Sequence, residues 1–147
     1  STKIRKALAS GNLQTANKYL GYHFMLSGKV VNGKKLGGKI GFPTANIEVF
    51  ESYKLIPKTG VYVIQSTLNK TTVYGMMNIG NRPTVSGKHQ TIEVHFFDFN
   101  GDLYHQQLTI ELIYFLRDEK KFDTLELLIS QLQHDEKVAK AHLKTLF

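Results

Sequence analysis

The sequence predicts a single, mainly β domain that closes into an antiparallel barrel and carries helical segments at both ends. The length of 147 residues suits one domain and is enough to bury a core. From residue 23 to residue 116, short runs rich in β-branched and aromatic residues follow one another without an intervening helical pattern. A closed or nearly closed barrel is favoured over an open sheet because closure removes exposed strand edges.

The N-terminal segment, residues 1–21, predicts a short helical lead-in. Its apolar residues recur at helical spacing on either side of an interruption at Gly11 and Asn12; they are Ile4, Leu8, Ala16 and Leu20. There is no initiator Met, and Ser1 and Thr2 open directly into the helical pattern. We therefore expect the chain to be a fragment of a longer protein.

The central part of the chain divides into successive strand segments. They cover residues 23–33, 59–69, 71–80, 91–102 and 103–116, and a further strand would bring the number to six. Asn69 and Lys70 join two of these segments at hairpin distance, and Asn100-Gly101 is a favoured type I′ hairpin turn. These turns predict antiparallel pairing of the strands that they connect.

The C-terminal residues predict two helical pieces that pack on the barrel. Asp123 and Glu126 fit a variant of the capping box at the start of the first piece. Its apolar stripe is predicted to be core and comprises Leu125, Leu128, Ile129 and Leu132. The second piece, from about Asp135 to Leu146, presents three further apolar residues on one side: Val138, Ala141 and Leu143.

Composition excludes several classes of protein. With 41% hydrophobic and 21% charged residues the chain lies in the globular range. It contains no cysteine, which excludes disulfides and thiolate metal sites, and its six histidines lack the spacing of a zinc site. Neither an apolar run of about 18 residues nor a signal-peptide pattern is present in the sequence. We expect a cytoplasmic protein.

The positive charge is concentrated in the first third of the sequence. The formal net charge is +7, and residues 1–47 contain eight Lys or Arg and no Asp or Glu. From Glu48 onward there are eleven basic and twelve acidic residues. This asymmetry suggests that a polyanion, most simply a phosphate group, contacts the N-terminal third. The alternative is a charged surface that only keeps the protein in solution.

The stretch GKKLGGKIGFPTANIE, residues 33–48, combines glycine and lysine ahead of a proline. Gly28 to Lys34 matches G-x-x-x-x-G-K, but Lys35 follows where a P-loop has Ser or Thr, and no helical pattern comes next. A flexible glycine-lysine loop, residues 33–41, can nevertheless fold over phosphates, because glycine allows close approach of the backbone and lysine supplies charge.

Pro43 fixes the backbone just before two oxygen-bearing side chains, Thr44 and Asn46. If this piece is extended, both oxygens point to the same side, as suits a hard cation such as Mg²⁺ that is shared with phosphate oxygens. The alternative is a Pro-Thr-Asn turn whose side chains satisfy only its own backbone.

The segment from Thr91 to Phe97 alternates as a half-buried strand. Its apolar face comprises Ile92, Val94 and Phe96, and the other face comprises Thr91, Glu93 and His95. Glu93 could be a solvated surface carboxylate. The functional alternative is a general base, since a carboxylate within reach of a hydroxyl can accept its proton during phosphoryl transfer.

Taken together, these segments resemble riboflavin kinase, specifically the C-terminal kinase module of the bacterial bifunctional riboflavin kinase/FAD synthetase. The matching pieces are LSGKVVNGKKLGGKIGFPTANIE, IPKTGVYVI, MNIGNRPT, IEVHFFDFNGDLY and FLRDEKKFDTLELLISQL. The first five residues, STKIR, are also similar to the end of a signature of the FMN adenylyltransferase module. The resemblance implies a helical linker over residues 1–21, following that missing module, and a kinase domain over residues 22–147.

The resemblance implies a six-stranded antiparallel Greek-key barrel that transfers the γ-phosphate of ATP to the ribityl 5′-hydroxyl of riboflavin, giving FMN and ADP. In that reaction Glu93 would be the catalytic base, and Thr44 and Asn46 would hold Mg²⁺. The nucleotide-binding residues would be Gly33, Lys35, Gly37, Lys39, Gly41, Pro43, Thr44 and Asn46. The flavin would be bordered by Asn81, Arg82, Pro83, Thr84 and Arg117.

Two positions depart from the family pattern. The family commonly has Arg at the position of Gly38, so ATP affinity depends on whether Lys35 or Lys39 substitutes for that charge. It commonly has Gly at the position of His105, where the change affects a turn.

Two other functions compete with the kinase. A nucleic-acid-binding barrel would use the basic first third, but the aromatic strand offers only Glu93, His95 and Asp98 as ionisable companions, and we expect no nucleic-acid partner. A flavin-binding module without catalysis is disfavoured because Glu93, Thr44 and Asn46 are all present.

Overall fold

The computed structural model describes residues 2–31, 41–49, 56–85, 87–99 and 101–146, with the backbone alone for residues 82–84 and 87–89. The described helices are α1 (Thr2–Ser10), α2 (Leu13–Leu20) and α3 (Leu125–Lys144). The described strands are β1 (Phe24–Val31), β2 (Ala45–Val49), β3 (Gly60–Leu68), β4 (Thr71–Thr84), β5 (Gly87–Phe96) and β6 (Gln107–Arg117). None of these helices is long and apolar enough to cross a membrane.

The six strands form a closed barrel in the order β1-β2-β5-β4-β3-β6, and every neighbouring pair is antiparallel. Strands β3, β4 and β5 form a meander, while β2 lies beside β5 and β6 returns to lie between β3 and β1. This Greek-key order confirms the predicted fold class.

One predicted hairpin is confirmed and the other is wrong. Asn69 and Lys70 both have positive φ, 51° and 66°, as a type I′ turn between β3 and β4 requires. Asn100 lies outside the described residues, but the strands on either side of Asn100-Gly101 are not paired as predicted, because β5 pairs with β2 and β4 whereas β6 pairs with β1 and β3. Closure of the barrel overrides the local turn signal there. Instead, β4 continues past residue 80 and forms a hairpin with β5 that ends at the pair Thr84 and Gly87.

The main core fills the barrel and extends into the N-terminal helices. Alternate strand residues point inward, among them Tyr62, Ile64, Met77, Ile79, Ile92, Val94, Ile110 and Leu112. Leu8, Leu13 and Ala16 of α1 and α2 belong to the same cluster. Asn17 fixes α2 to the barrel, since its amide accepts from the Phe24 backbone N–H at 2.7 Å and donates to the Leu112 carbonyl at 3.0 Å. The boundary between residues 21 and 22 stays a prediction.

The C-terminal segment is one helix rather than the two predicted pieces. No glycine or proline interrupts residues 125–144, and α3 runs through the expected break near Asp135. Its N-cap is Thr124 rather than Asp123: the Thr124 hydroxyl accepts from the Leu127 N–H at 3.2 Å.

The side of α3 that packs on the barrel also differs from the prediction. A second apolar cluster forms between the outer barrel wall and the helix, and the buried helical residues are Asp135, Ala139 and Leu143. Of the predicted apolar residues, Leu143 is buried, but Val138 and Leu125 are 38% and 45% exposed and Ala141 is exposed. Leu128, Ile129 and Leu132 are half-buried rather than fully buried. The helix therefore turns a mixed face towards the barrel.

Gly28, the first glycine of the P-loop-like pattern, has a structural role in the barrel. It lies on β1 opposite Val49 of β2, where a Cβ atom would collide with the Glu48 carbonyl and would lie 2.6 Å from the Ile47 side chain. The close approach of the two strands thus explains this glycine without a bound phosphate.

His105 occupies a backbone position that suits glycine. Its φ is 71°, its N–H donates to the Val30 carbonyl at 3.0 Å, and its ring lies against that of Tyr104 with centroids 3.7 Å apart. Because a side chain in the left-handed region costs about 1 kcal/mol or more, we expect His105→Gly to raise the free energy of unfolding by about 0.5–1 kcal/mol. Urea denaturation measures the change. His105→Ala, which keeps the Cβ atom, is the control and should not stabilise; a less stable glycine variant would mean that the Tyr104 contact outweighs the strain.

Candidate active site

A row of side chains crosses the outer wall of the barrel through five strands. Glu93 on β5 lies directly opposite Asn46 on β2 and Asn78 on β4. Asn78 in turn lies opposite Val61 on β3, and Val61 lies opposite Arg117 at the end of β6. Directly opposed residues share one face of a sheet, with Cβ atoms about 5 Å apart. Glu93 is therefore flanked by two amide side chains.

The alternation predicted for β5 is confirmed. Ile92, Val94 and Phe96 are at most 6% exposed and lie in the barrel core. Glu93 and His95 are half-buried on the opposite face. The carboxylate thus lies at the outer wall, where a ligand could reach it.

The segment that leads into β2 is anchored beside Glu93. Gly41 has φ +87° and begins the approach, and the Phe42 ring is buried in the outer cluster. His95 Nδ1 lies 2.8 Å from the Pro43 carbonyl oxygen, and the Phe42 and His95 rings meet edge-on with centroids 5.4 Å apart. Thr44 is exposed and lies two residues before Asn46.

Glu93 lies in the wall of a cavity of about 270 Å³ between the barrel and α3. One wall is the barrel, with Phe42, Thr44, Val61, Met76, Asn78, Glu93, His95 and Arg117 on its outer side and the core residue Met77 behind them. The opposite wall comes from the β6–α3 connection and from α3, with Glu119, Lys120, Phe122, Leu128, Leu132 and Asp135. Mostly apolar walls with a few convergent polar groups are typical of a small-molecule site.

A buried ion pair joins the two walls of this cavity. Arg117 Nε lies 2.9 and 3.1 Å from the two Asp135 carboxylate oxygens, and Nη2 donates to Oδ2 at 2.8 Å. The Asp135 side chain is 2% exposed and that of Arg117 is 16% exposed. Gln131 adds a hydrogen bond of 2.9 Å to Asp135, and Arg117 Nη1 donates to the Asp118 carbonyl. The guanidinium charge is therefore largely neutralised within the protein.

Comparison with known protein families identifies the chain. The family model described as "Flavokinase: Riboflavin kinase" matches residues 20–143. The chain belongs to the riboflavin kinase family. The match confirms the predicted family assignment, and it covers the barrel and nearly all of α3.

Curated relatives of this riboflavin kinase family member are longer than the chain. It is 43% identical over 147 residues to the bifunctional riboflavin kinase/FMN adenylyltransferase of Listeria monocytogenes, covering 99% of the chain and 46% of that protein. It is 41% identical over 142 residues to the protein of the same name from Haemophilus influenzae, covering 96% of the chain and 46% of the relative. The chain thus spans about half the length of these relatives.

Two solved structures share the fold. One, titled a macrolide-efflux protein from Streptococcus pneumoniae, has a TM-score of 0.90 at 36% identity and covers 95% of the chain and 46% of the structure. The other, a riboflavin kinase from Trypanosoma brucei, has a TM-score of 0.55 at 23% identity and covers 82% of the chain and 79% of the structure.

The structure brings together only part of the predicted riboflavin kinase site. Glu93, Thr44 and Arg117 line the cavity, and Asn46 lies opposite Glu93. Asn81 is exposed on β4 and is not among the residues that line the cavity. Arg82, Pro83 and Thr84 lie in the same strand, but their side chains are outside the described residues. The described residues do not include the predicted nucleotide-binding residues Gly33, Lys35, Gly37 and Lys39. They also do not include Gly38, where the sequence departs from the family pattern.

Sequence reasoning gave no role to five polar residues of the cavity, namely Asn78, His95, Glu119, Lys120 and Asp135. Asn78 lies within the MNIG stretch but becomes a neighbour of Glu93 only through the register of β4 and β5. The sequence pattern assigned no role to His95, although its place two residues after Glu93 already put it on the same face. The burial of Asp135 could have been predicted from the sequence, because Asp135 lies on the same helical face as the apolar residues Ala139 and Leu143.

The oxygen atoms near Glu93 fit a Mg²⁺ ion that shares phosphate ligands. The Thr44 hydroxyl and the Asn46 amide are neutral oxygen donors, and Mg²⁺ usually takes only a few protein ligands and completes its coordination with phosphate and water. Among the described residues no group of three or more His, Asp or Glu side chains could hold a metal ion by itself. The donor set therefore suits a metal that arrives with a nucleotide.

Proposed function

We propose that this domain is an ATP:riboflavin 5′-phosphotransferase, which transfers the γ-phosphate of ATP to the ribityl 5′-hydroxyl of riboflavin. The observation that carries the proposal is the position of Glu93. It lies in the wall of a largely apolar cavity and directly opposite Asn46, and Thr44 shares that cavity. A carboxylate is thus available where a hydroxyl acceptor and a phosphate donor would meet.

Glu93 is proposed to accept the proton of the ribityl hydroxyl as that oxygen attacks the γ-phosphorus. The bond from phosphorus to the β–γ bridging oxygen breaks, and ADP leaves with that oxygen. Phosphoryl transfer depends mainly on in-line positioning and charge stabilisation. Thr44 and Asn46 would hold Mg²⁺, which supplies neutralisation of phosphate charge when bound.

The cavity between the barrel and α3 is proposed to hold the flavin. Phe42, Val61, Met76, Phe122 and Leu132 offer apolar surface for an uncharged ring system. Because Asp135 already pairs with Arg117, the cavity does not present a free guanidinium to that ring. Asn81, Arg82, Pro83 and Thr84 remain predicted flavin neighbours.

The lysines of residues 33–41 are proposed to close over the ATP phosphates, with Gly33, Lys35, Gly37, Lys39 and Gly41 as nucleotide-binding residues. Of these, Gly41 is described, and its positive φ starts the turn that delivers Pro43 and Thr44. The support for this part is the excess of positive charge in residues 1–47.

In the full-length protein an FMN adenylyltransferase module is proposed to precede residues 1–21, as the names and lengths of the curated relatives suggest. The chain by itself should therefore stop at FMN. A cytoplasmic location stays a prediction.

The test is product analysis by chromatography after the protein is incubated with riboflavin, ATP and Mg²⁺, with a control that lacks the metal. We expect metal-dependent formation of FMN and ADP without FAD. Binding of riboflavin without any FMN would instead indicate a flavin-binding module that lacks catalysis. If neither riboflavin nor ATP binds, the proposed activity is wrong for this chain.

A further inference from the structure

His95 links the strand that carries Glu93 to the segment that carries Thr44. Its side chain lies on the same face of β5 as Glu93, two residues further along. From there Nδ1 reaches the Pro43 carbonyl oxygen, 2.8 Å away and 52 residues earlier in the sequence. The two parts of the site are thus connected by a direct hydrogen bond outside the sheet ladder.

The chemistry of this contact determines which imidazole nitrogen carries the proton. A carbonyl oxygen can only accept a hydrogen bond, so His95 Nδ1 must be protonated and must donate. The ring itself is held between two aromatic side chains, with centroid distances of 5.4 Å to Phe42 and 5.8 Å to Phe97. Both rings are buried, at 7% and 5% exposure, so the imidazole has a defined orientation.

The Pro43 carbonyl is the peptide group that leads directly into Thr44. Residues 41–44 precede the first residue of β2, so the ladder between β2 and β5 begins only at Ala45, opposite Val94. The hydrogen bond to Pro43 therefore restrains the position of Thr44 relative to Glu93, which the pairing of β2 with β5 does not do because that pairing begins at Ala45.

We infer that His95 is a positioning residue for the nucleotide end of the site. Its Nδ1–H holds the Pro43 carbonyl so that the Thr44 hydroxyl lies beside Asn46 and at a fixed distance from Glu93. This inference rests on the proposed function, in which Thr44 and Asn46 bind Mg²⁺ and the phosphates. His95 itself need not touch the nucleotide.

The test compares His95→Asn with His95→Gln. The Asn amide nitrogen can take the place of Nδ1, whereas the longer Gln side chain places its amide nearer to Nε2. Both variants lose the ring, so the difference between them reports the Nδ1 donor. His95→Phe, which keeps an aromatic ring between Phe42 and Phe97 but cannot donate, is the second comparison. Thermal unfolding checks that each variant is folded.

The first readout is the dissociation constant of Mg²⁺·ADP, measured by calorimetry without flavin. We expect His95→Gln and His95→Phe to weaken this binding about threefold to tenfold, in line with the loss of one hydrogen bond, and His95→Asn to restore most of it. The KM for ATP should follow the same order.

Equal Mg²⁺·ADP affinity in the Asn and Gln variants, with Phe unchanged from wild type, would overturn the inference. A rise in the KM for riboflavin with unchanged Mg²⁺·ADP affinity would also overturn it, because His95 would then act only as part of the cavity wall. If the proposed function itself is wrong, the wild-type protein will bind no Mg²⁺·ADP and form no FMN. This result separates a failure of the proposed function from a failure of the inference about His95.

Discussion

Glu93→Gln is expected to lower the kcat of FMN formation by roughly 10²-fold or more and to leave the fold intact. Glutamine keeps the size of the side chain and one acceptor oxygen but cannot accept a proton at neutral pH. Glu93 is half-buried on the outer wall and is not part of the barrel core, so the substitution removes little packing. Steady-state assays that vary ATP and riboflavin separately measure the effect.

The pattern of kinetic constants separates a general base from a binding residue. Loss of a proton acceptor lowers kcat with little change in either KM, whereas loss of a substrate contact raises a KM. Glu48→Gln is the matched control, since Glu48 is an exposed carboxylate on the neighbouring strand β2, and it should retain wild-type kcat. Unchanged kcat in Glu93→Gln would remove Glu93 from the mechanism. A raised KM at constant kcat would assign it to binding.

The faces of β5 could be predicted from the sequence, but the neighbours of Glu93 could not. Alternation of side chains has a period of two residues, so Ile92 and Val94 identify the buried face without any knowledge of the partner strands. Cross-strand neighbours depend on register, which is set by the closed barrel. Asn78 and Asn46 come from strands that flank β5 on opposite sides, and local sequence does not specify that both end opposite Glu93.

Local signals are also wrong where tertiary packing competes with them. Asn100-Gly101 is a strong hairpin signal, yet barrel closure places β6 between β3 and β1 rather than beside β5. The expected break in the C-terminal helix near Asp135 coincides with an interruption in the apolar pattern. The residue at this point, Asp135, is a buried acid that pairs with Arg117, 18 residues earlier in the sequence. Propensity and periodicity cannot identify a polar residue whose burial is made possible by a distant side chain.

Asp135→Asn is expected to lower the free energy of unfolding by about 3–5 kcal/mol. The substitution keeps the shape of the side chain but leaves the Arg117 guanidinium partly buried without its counter-charge, and breaking a buried ion pair from one side has an effect of about this size. The Asp135 side chain is 2% exposed and that of Arg117 is 16% exposed, so solvent can compensate little. Urea denaturation measures the change.

Asp118→Asn is the matched control for this substitution. Asp118 pairs with Lys58 at 2.7 Å, but the two side chains are 67% and 38% exposed, so we expect a loss below about 1 kcal/mol. A similar loss in both variants would mean that burial does not determine the strength of the Arg117–Asp135 pair.

The double variant Arg117→Met/Asp135→Asn tests whether the unpaired charge causes the loss. The asparagine side chain introduced at position 135 can still accept the hydrogen bond that Gln131 makes to Oδ1 of Asp135, and methionine removes the guanidinium while it retains much of its apolar volume. We expect the double variant to be less destabilised than the sum of the single variants by at least about 1 kcal/mol, because residues in direct contact are energetically coupled. Additive losses would show that Asp135 stabilises α3 independently of Arg117. With coupling, the ion pair holds α3 against β6 and so keeps the two walls of the cavity together.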